Sequence, residues 1–172
     1  MRGPILLMHA VALSTFIASY MQLSHLSLLD KTKFNLNLLV INHFKLPSNW
    51  QLQFLEHSFA TNQMLIWADK SQLEQVFINI FKNADEAMEQ QTKVIEIDYH
   101  LDEKHLHLII NDQGVGIANT DNLFVPFYST KPKGSGIGLS LCRQIMFNHG
   151  GSITLRNRKD VPGAQAVISF PL

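Results

Sequence analysis

The chain has one cysteine, Cys142, among 172 residues. A single thiol excludes an internal disulfide and any cysteine-rich metal centre, and it fits a reducing compartment. There is no excess of either charge: 14 lysines and arginines stand against 14 aspartates and glutamates. Such a balance provides no electrostatic drive toward nucleic acid or an anionic membrane, and no nucleic-acid partner is expected. Charged residues make up only 16 %, against 46 % hydrophobic, which excludes a disordered chain. That apolar content is enough for one domain with a core and a short appendage. Internal repeats and low-complexity tracts are absent. So is Gly-x-x-x-x-Gly-Lys-Ser/Thr, which excludes a Walker A phosphate loop.

There is one long hydrophobic run. Residues 5–21, ILLMHAVALSTFIASYM, follow the basic start Met1-Arg2 and contain only His9 as a strongly polar group. A run of this length is at the lower edge of what spans a bilayer. No small-x-small cleavage pattern follows it, which argues against a signal peptide. It reads either as a helix buried in a hairpin or dimer, or as a membrane anchor. On this reading residues 1–32 form an N-terminal apolar helical segment and residues 33–172 a separate domain.

Within that domain, Phe34 to Phe44 has a weak helical period, and Pro47-Ser48-Asn49 makes a turn. Trp50, Leu52 and Phe54 alternate with glutamines, which predicts a strand, and Met64 to Ala68 predicts another. Asp69 with Gln72 forms a capping-box-like start. Behind it Leu73, Val76, Phe77, Ile80, Phe81, Ala84 and Met88 trace one helical face to about Gln90. Val94 to Tyr99 and Leu106 to Ile110 predict a hairpin turning at Asp102-Glu103-Lys104. Leu139 to Phe147 predicts a helix stopped by Asn148-His149-Gly150-Gly151. Ile153 to Leu155 and Ala166 to Phe170 close the chain as strands around Pro162-Gly163. The sum is an α/β chain, a mixed sheet with helices on one face.

Four clusters carry chemistry. Asp112-Gln113-Gly114-Val115-Gly116-Ile117 leaves a strand directly; its glycines let a ligand approach the main chain, and its carboxylate can accept from an exocyclic amine. Gly134-Ser135-Gly136-Ile137-Gly138-Leu139 stands before a helix, where backbone N–H groups favour an anion such as polyphosphate. Asn79 and Asn83 are one turn apart on the first helix. Amide oxygens can ligate Mg²⁺, yet either asparagine alone reads more readily as a solvent-facing residue or one bonded to a neighbouring loop. Phe124-Val125-Pro126-Phe127-Tyr128-Ser129-Thr130-Lys131 lies between the glycine clusters and suits a mobile lid, or a loop tucked on the core.

The order Asn-x-x-x-Asn-Ala, Asp-x-Gly-x-Gly, Phe-x-Pro-Phe, Gly-x-Gly-x-Gly-Leu resembles the N, G1, F and G2 boxes of sensor histidine kinases. These belong to the Bergerat-type ATPase superfamily shared with gyrase, Hsp90 and MutL. His149-Gly150-Gly151-Ser152-Ile153 also looks like that family's strand entry, and the resemblance covers about residues 33–172. It implies a two-layer α/β sandwich that binds Mg-ATP and transfers phosphoryl to a protein histidine. It implies Asn83 as Mg²⁺ ligand with Asn79 lining the same site, and Asp112 on the adenine amine. Gly114, Gly116 and Ile117 would lie under the base. Gly134, Ser135, Gly136, Ile137, Gly138 and Leu139 would hold the phosphates. Phe124 and Phe127 would anchor the lid, and Lys131 would reach a phosphate. Hydrolytic members resemble one another in a glutamate where Asn79 stands, and an amide is no general base, which favours transfer over hydrolysis.

The resemblance also implies a response regulator, a homodimer through the N-terminal helix, and a cytoplasmic catalytic domain that residues 5–21 can tie to a membrane. The family's phosphoacceptor motif, a histidine followed by an acidic residue, matches none of the eight histidines. The phosphoacceptor region is therefore expected to be truncated or divergent here, or the acceptor to lie on another protein. A serine kinase of the anti-sigma-factor type, or a nucleotide-binding module without transfer, would share this pocket.

Overall fold

The computed structural model describes residues 28–43, 49–55, 64–131, 134–159 and 161–172. Of the predicted N-terminal helical segment, residues 1–27 lie outside them, while residues 28–31 form no helix and Thr32 already belongs to a strand, so the helix does not extend to residue 32; residues 47–48 of the predicted 47–49 turn also lie outside. The described elements are β1 (Thr32–Asn35), α1 (Leu36–His43), β2 (Trp50–Phe54), β3 (Leu65–Ala68), α2 (Lys70–Ala87), β4 (Lys93–Leu101), β5 (His105–Asn111), α3 (Gly138–Asn148), β6 (Ser152–Asn157) and β7 (Ala164–Pro171).

Five strands form one sheet in the order β2-β4-β5-β7-β6, and β1 pairs with β3 in a separate two-stranded sheet. β2 runs parallel to β4, while the β4–β5, β5–β7 and β6–β7 pairs are antiparallel, so the large sheet is mixed as expected. Its strands have one apolar face. Ile95, Ile97 and Tyr99 of β4, with Leu106, Leu108 and Ile110 of β5, are buried at period two. The stripes of α2 (Leu73, Val76, Phe77, Ile80, Phe81, Ala84) and α3 (Leu141, Cys142, Ile145, Met146) join the same core. Each large side chain so buried contributes about 1.5–3 kcal/mol of transfer free energy. The opposite face is mixed: Glu96, Asp98, His105 and His107 stand there with Val94, Ile109 and Val167, all partly exposed. The result is a two-layer α/β sandwich. The free Cys142 thiol sits in the core with its pKa pushed up to about 12 by burial, which makes it a packing residue and not a nucleophile.

Two boundaries differ from expectation for local reasons. Phe34 belongs to a strand, not to the helix, because Asn35 caps α1: its Oδ1 accepts from the N–H groups of Asn37 at 2.9 Å and Leu38 at 3.3 Å. α2 ends at Ala87, not Gln90. Met88 turns extended (ψ 116°), and the Ala87 carbonyl is taken by the Val115 N–H at 3.1 Å. The N-terminal cap of α2 is where the sequence placed it: Asp69 Oδ1 accepts from Gln72 N–H at 3.1 Å.

His149 ties the two long helices together. It is buried, accepts the Asp69 N–H on Nε2 at 3.0 Å, and donates from Nδ1 to the Ile145 carbonyl at 2.8 Å. Burial keeps it neutral, with its pKa below the ordinary 6.5. The unfolded chain therefore takes up a proton that the folded chain refuses as pH falls through 6.5. This contribution to stability is complete above that pH and shrinks below it. In His149→Ala the Asp69 N–H loses its partner, at a cost of about 1–3 kcal/mol. Denaturant melts from pH 8 to 5 are expected to show the variant less stable at neutral pH and with a flatter decline between about pH 6.5 and 5. Parallel curves would assign the acid sensitivity elsewhere.

Candidate nucleotide-binding site

α2 presents Asn79, Asn83 and Glu86 on one face, at spacings of four and three residues. Asn79 is half-buried, with its side-chain amide turned to the buried Cys142 thiol. The N-terminus of α3 closes over it: a Cβ on Gly138 would stand 3.1 Å from Asn79 Oδ1. Ile137, which precedes α3, makes no side-chain cap bond. The first-turn N–H groups thus keep the partial positive charge of a helix N-terminus. Ile137 itself is buried and Leu139 half-buried against the core, so the two apolar positions of this glycine cluster anchor it. Ser135 and Gly134 are exposed.

Asp112 directly follows β5 and is buried. Its Oδ1 accepts from the N–H groups of Gly114 at 2.9 Å and Ala164 at 3.0 Å. Two backbone donors fix the carboxylate, and Oδ2 makes no hydrogen bond among the described residues. Gly114 packs on the end of α2: a Cβ there would come 2.6 Å from the Ala87 carbonyl oxygen. Gly116 adopts φ +78°, open to glycine and costly for other residues. Ile117 is clamped by Asn157, whose Oδ1 accepts its N–H at 2.6 Å and whose Nδ2 donates to its carbonyl at 2.9 Å.

The segment between the glycine clusters folds back on the second of them. Phe124 is half-buried against the core, with the Arg143 guanidinium 5.6 Å from its ring centre. Phe127 is different. The residue is 43 % exposed, its φ is +65°, and its N–H donates to the Gly136 carbonyl at 2.9 Å. Gly136 has φ +68°, and a Cβ on it would meet the Phe127 carbonyl carbon at 2.5 Å. The Lys131 ammonium donates to Asn83 Oδ1 at 3.0 Å and pairs with the Glu86 carboxylate. The segment thus spans from the core to the asparagine face of α2.

Four clusters far apart in the chain meet at one end of the sandwich. The family described as "Histidine kinase-, DNA gyrase B-, and HSP90-like ATPase" matches residues 68–172. The chain belongs to this ATPase family. Sporulation kinase A of Bacillus subtilis is 36 % identical over 120 residues, covering 69 % of this chain and 20 % of that protein. The sensor protein FixL of Bradyrhizobium diazoefficiens is 36 % identical over 107 residues, 60 % of this chain and 21 % of FixL. The chain thus spans about a fifth of the length of these curated relatives. Among solved structures, the nucleotide-free catalytic domain of histidine kinase ThkA superposes with TM-score 0.70 at 29 % identity, covering 83 % of this chain and 95 % of that one. ThkA in complex with the response regulator protein TrrA gives TM-score 0.74 at 26 % identity, over 97 % of this chain and 49 % of that one. The fold is the one shared by histidine kinase catalytic domains, and ATP is the substrate class of this ATPase family. No helix among the described residues is long and apolar enough to cross a membrane.

The family assignment directs attention to the oxygen cluster on α2. Asn83 Oδ1 and the Glu86 carboxylate already hold a cation, the Lys131 ammonium. An amide oxygen beside a carboxylate is a donor set that suits a hard divalent ion. Several residues around the site were not singled out from the sequence. Glu86 is one, Asn157 another. Arg158 is a third: it donates to the Asp112 carbonyl at 3.1 Å and pairs with Glu96 at 2.8 Å, bracing the loop from behind. Gly163 is a fourth, since a Cβ there would come 2.1 Å from the Asp112 carbonyl oxygen. Pro162-Gly163 signalled a turn, but nothing in the sequence tied that turn to Asp112.

Proposed function

We propose that this chain is the Mg-ATP-binding catalytic part of a two-component sensor histidine kinase. In this reading it transfers the γ-phosphoryl group to a histidine on another domain, from which a response regulator takes it. The observation that carries the reading is the convergence of the asparagine face of α2, the braced Asp112 carboxylate and the uncapped α3 N-terminus.

In this reading Asp112 Oδ2 accepts from the adenine amino group, and Gly114, Gly116 and Ile117 offer the base a close main-chain surface. Gly134, Ser135, Gly136, Ile137, Gly138 and Leu139 carry the phosphates at the helix N-terminus, where N–H groups favour negative charge. Asn83 holds Mg²⁺, with Asn79 lining the same site. Mg²⁺, when bound, neutralises charge on the transferring group. Lys131 leaves Asn83 and Glu86 for a phosphate oxygen when nucleotide enters, with Phe124 as the fixed base of the lid and Phe127 nearer its moving part. Asn79 offers no general base for activating water, which supports transfer over hydrolysis. A homodimer would run through the N-terminal segment of residues 1–32 and a membrane attachment through residues 5–21, of which the described residues include only 28–32.

The test is incubation of the full chain with Mg-[γ-³²P]ATP and isolated phosphoacceptor hairpins of sensor kinases. Acid-labile label on the hairpin supports the reading. Acid-stable label would point to a serine acceptor. Saturable ATP binding with no labelled protein would leave a nucleotide-binding interaction module.

A further inference from the structure

The face of the sheet away from the helices carries a second cluster, remote from the nucleotide site. The β4–β5 register sets His100 opposite His107, and His105 shares the outward face of β5 with His107. Asp102, in the hairpin turn, reaches both of the β5 histidines. Its Oδ2 is 2.8 Å from His107 Nε2, and its Oδ1 is 3.7 Å from His105 Nδ1. One ligand atom from each of Asp102, His105 and His107 lies within 4.8 Å of the other two. The His100 ring stacks on His107 at 5.8 Å between centres.

We propose that Asp102, His105 and His107 form a binding site for a borderline divalent transition ion, of the Zn²⁺ or Cu²⁺ class. Two imidazoles and a carboxylate are ligands these ions prefer, at metal–ligand distances of about 2.0–2.2 Å. Around such an ion the donor atoms stand roughly 3.4 Å apart. The present spacing therefore needs only side-chain rotation by partly exposed groups. The turn is already built. Asp102 Oδ1 accepts from the N–H groups of Lys104 at 2.8 Å and His105 at 2.7 Å, so the carboxylate is fixed with Oδ2 turned to His107.

His107 also has the outer partner a ligand imidazole needs. Its Nδ1 stands 2.8 Å from Ser169 Oγ. A hydroxyl donates or accepts with equal ease. With Nε2 protonated toward Asp102, Ser169 donates to Nδ1. With Nε2 on a metal, the proton moves to Nδ1 and Ser169 accepts it. The metal-binding tautomer is therefore satisfied without any change of partner. Solvent completes the coordination on the open side.

The site lies at the far end of β5 from Asp112, about 20 Å along a seven-residue strand. It does not depend on nucleotide. The test is a Zn²⁺ titration of the full chain by calorimetry, run beside His105→Gln/His107→Gln and Ser169→Ala. NMR with substoichiometric Cu²⁺ locates the ion independently of any variant. One Zn²⁺ is expected per chain. Its affinity should fall about 10-fold or more in Ser169→Ala, as when a ligand imidazole loses its outer partner. The double variant should lose more. The His105 and His107 ring signals should broaden first with Cu²⁺, and Asp112→Asn should bind Zn²⁺ as the parent does. An isotherm unchanged in the double variant, or first broadening elsewhere, would overturn the proposal.

Discussion

Asp112→Asn is expected to weaken ATP binding about 10- to 100-fold while leaving the fold intact. The estimate follows from the roughly 1.5–3 kcal/mol of a hydrogen bond to a charged group, at about 1.4 kcal/mol per tenfold. The substitution is sharper than alanine. An asparagine oxygen can still accept from the Gly114 and Ala164 N–H groups, as Oδ1 does at 2.9 and 3.0 Å. The loop then keeps its shape. The second position becomes an NH₂, a donor facing the donor amine of adenine, so both are left unpaired in a buried setting. Calorimetry with ATP, and with GTP as a ligand that carries a carbonyl where adenine has its amine, measures both halves. ATP affinity should drop and the preference for ATP over GTP should narrow. An unchanged ATP isotherm in a folded Asp112→Asn protein would remove Asp112 from the base site and with it the orientation of nucleotide proposed above.

The second large effect is expected at Asn83. Asn83→Ala should bind ATP with the same affinity with and without Mg²⁺, and any phosphoryl transfer should fall by about 100-fold or more, the scale seen when a group stabilising transition-state charge is removed. The structural ground is the cation already at this position: Lys131 is 3.0 Å from Asn83 Oδ1 and also pairs with Glu86. A cluster that holds an ammonium group offers oxygens and negative charge for Mg²⁺. The measurement is ATP affinity against Mg²⁺ concentration in parent and variant. A Mg²⁺ dependence that survives Asn83→Ala would move the ion to other residues of this end of the sandwich.

How much of this was legible in advance varies by element. The α2 stripe and its Asp69 cap were read correctly because both are local: helical period and a side chain bonding three residues on. The β4–β5 hairpin and its turn at residues 102–104 were equally local. Phe34 was misplaced because an apolar residue before a cap looks like the helix it precedes, and only the Asn35 bonds separate the two. The pairing of β1 with β3 joins residues thirty or more apart, as Phe34 with Ile66, and no local pattern announces it.

The sequence by itself determined the family, through four short motifs in fixed order, and with it the α/β class; it also named the residues proposed above for the nucleotide site. Motifs of that kind encode which groups are present and in what order. Only the tertiary structure decided what each group touches. It showed Asp112 braced by Arg158 and crowded by Gly163, Ile117 held by Asn157, and Lys131 resting on Asn83 and Glu86. It also brought His100, His105, His107 and Asp102 together. These contacts depend on strand register and on the docking of α2 against α3. Both are set by burial summed over the whole core, so no window of the sequence contains them.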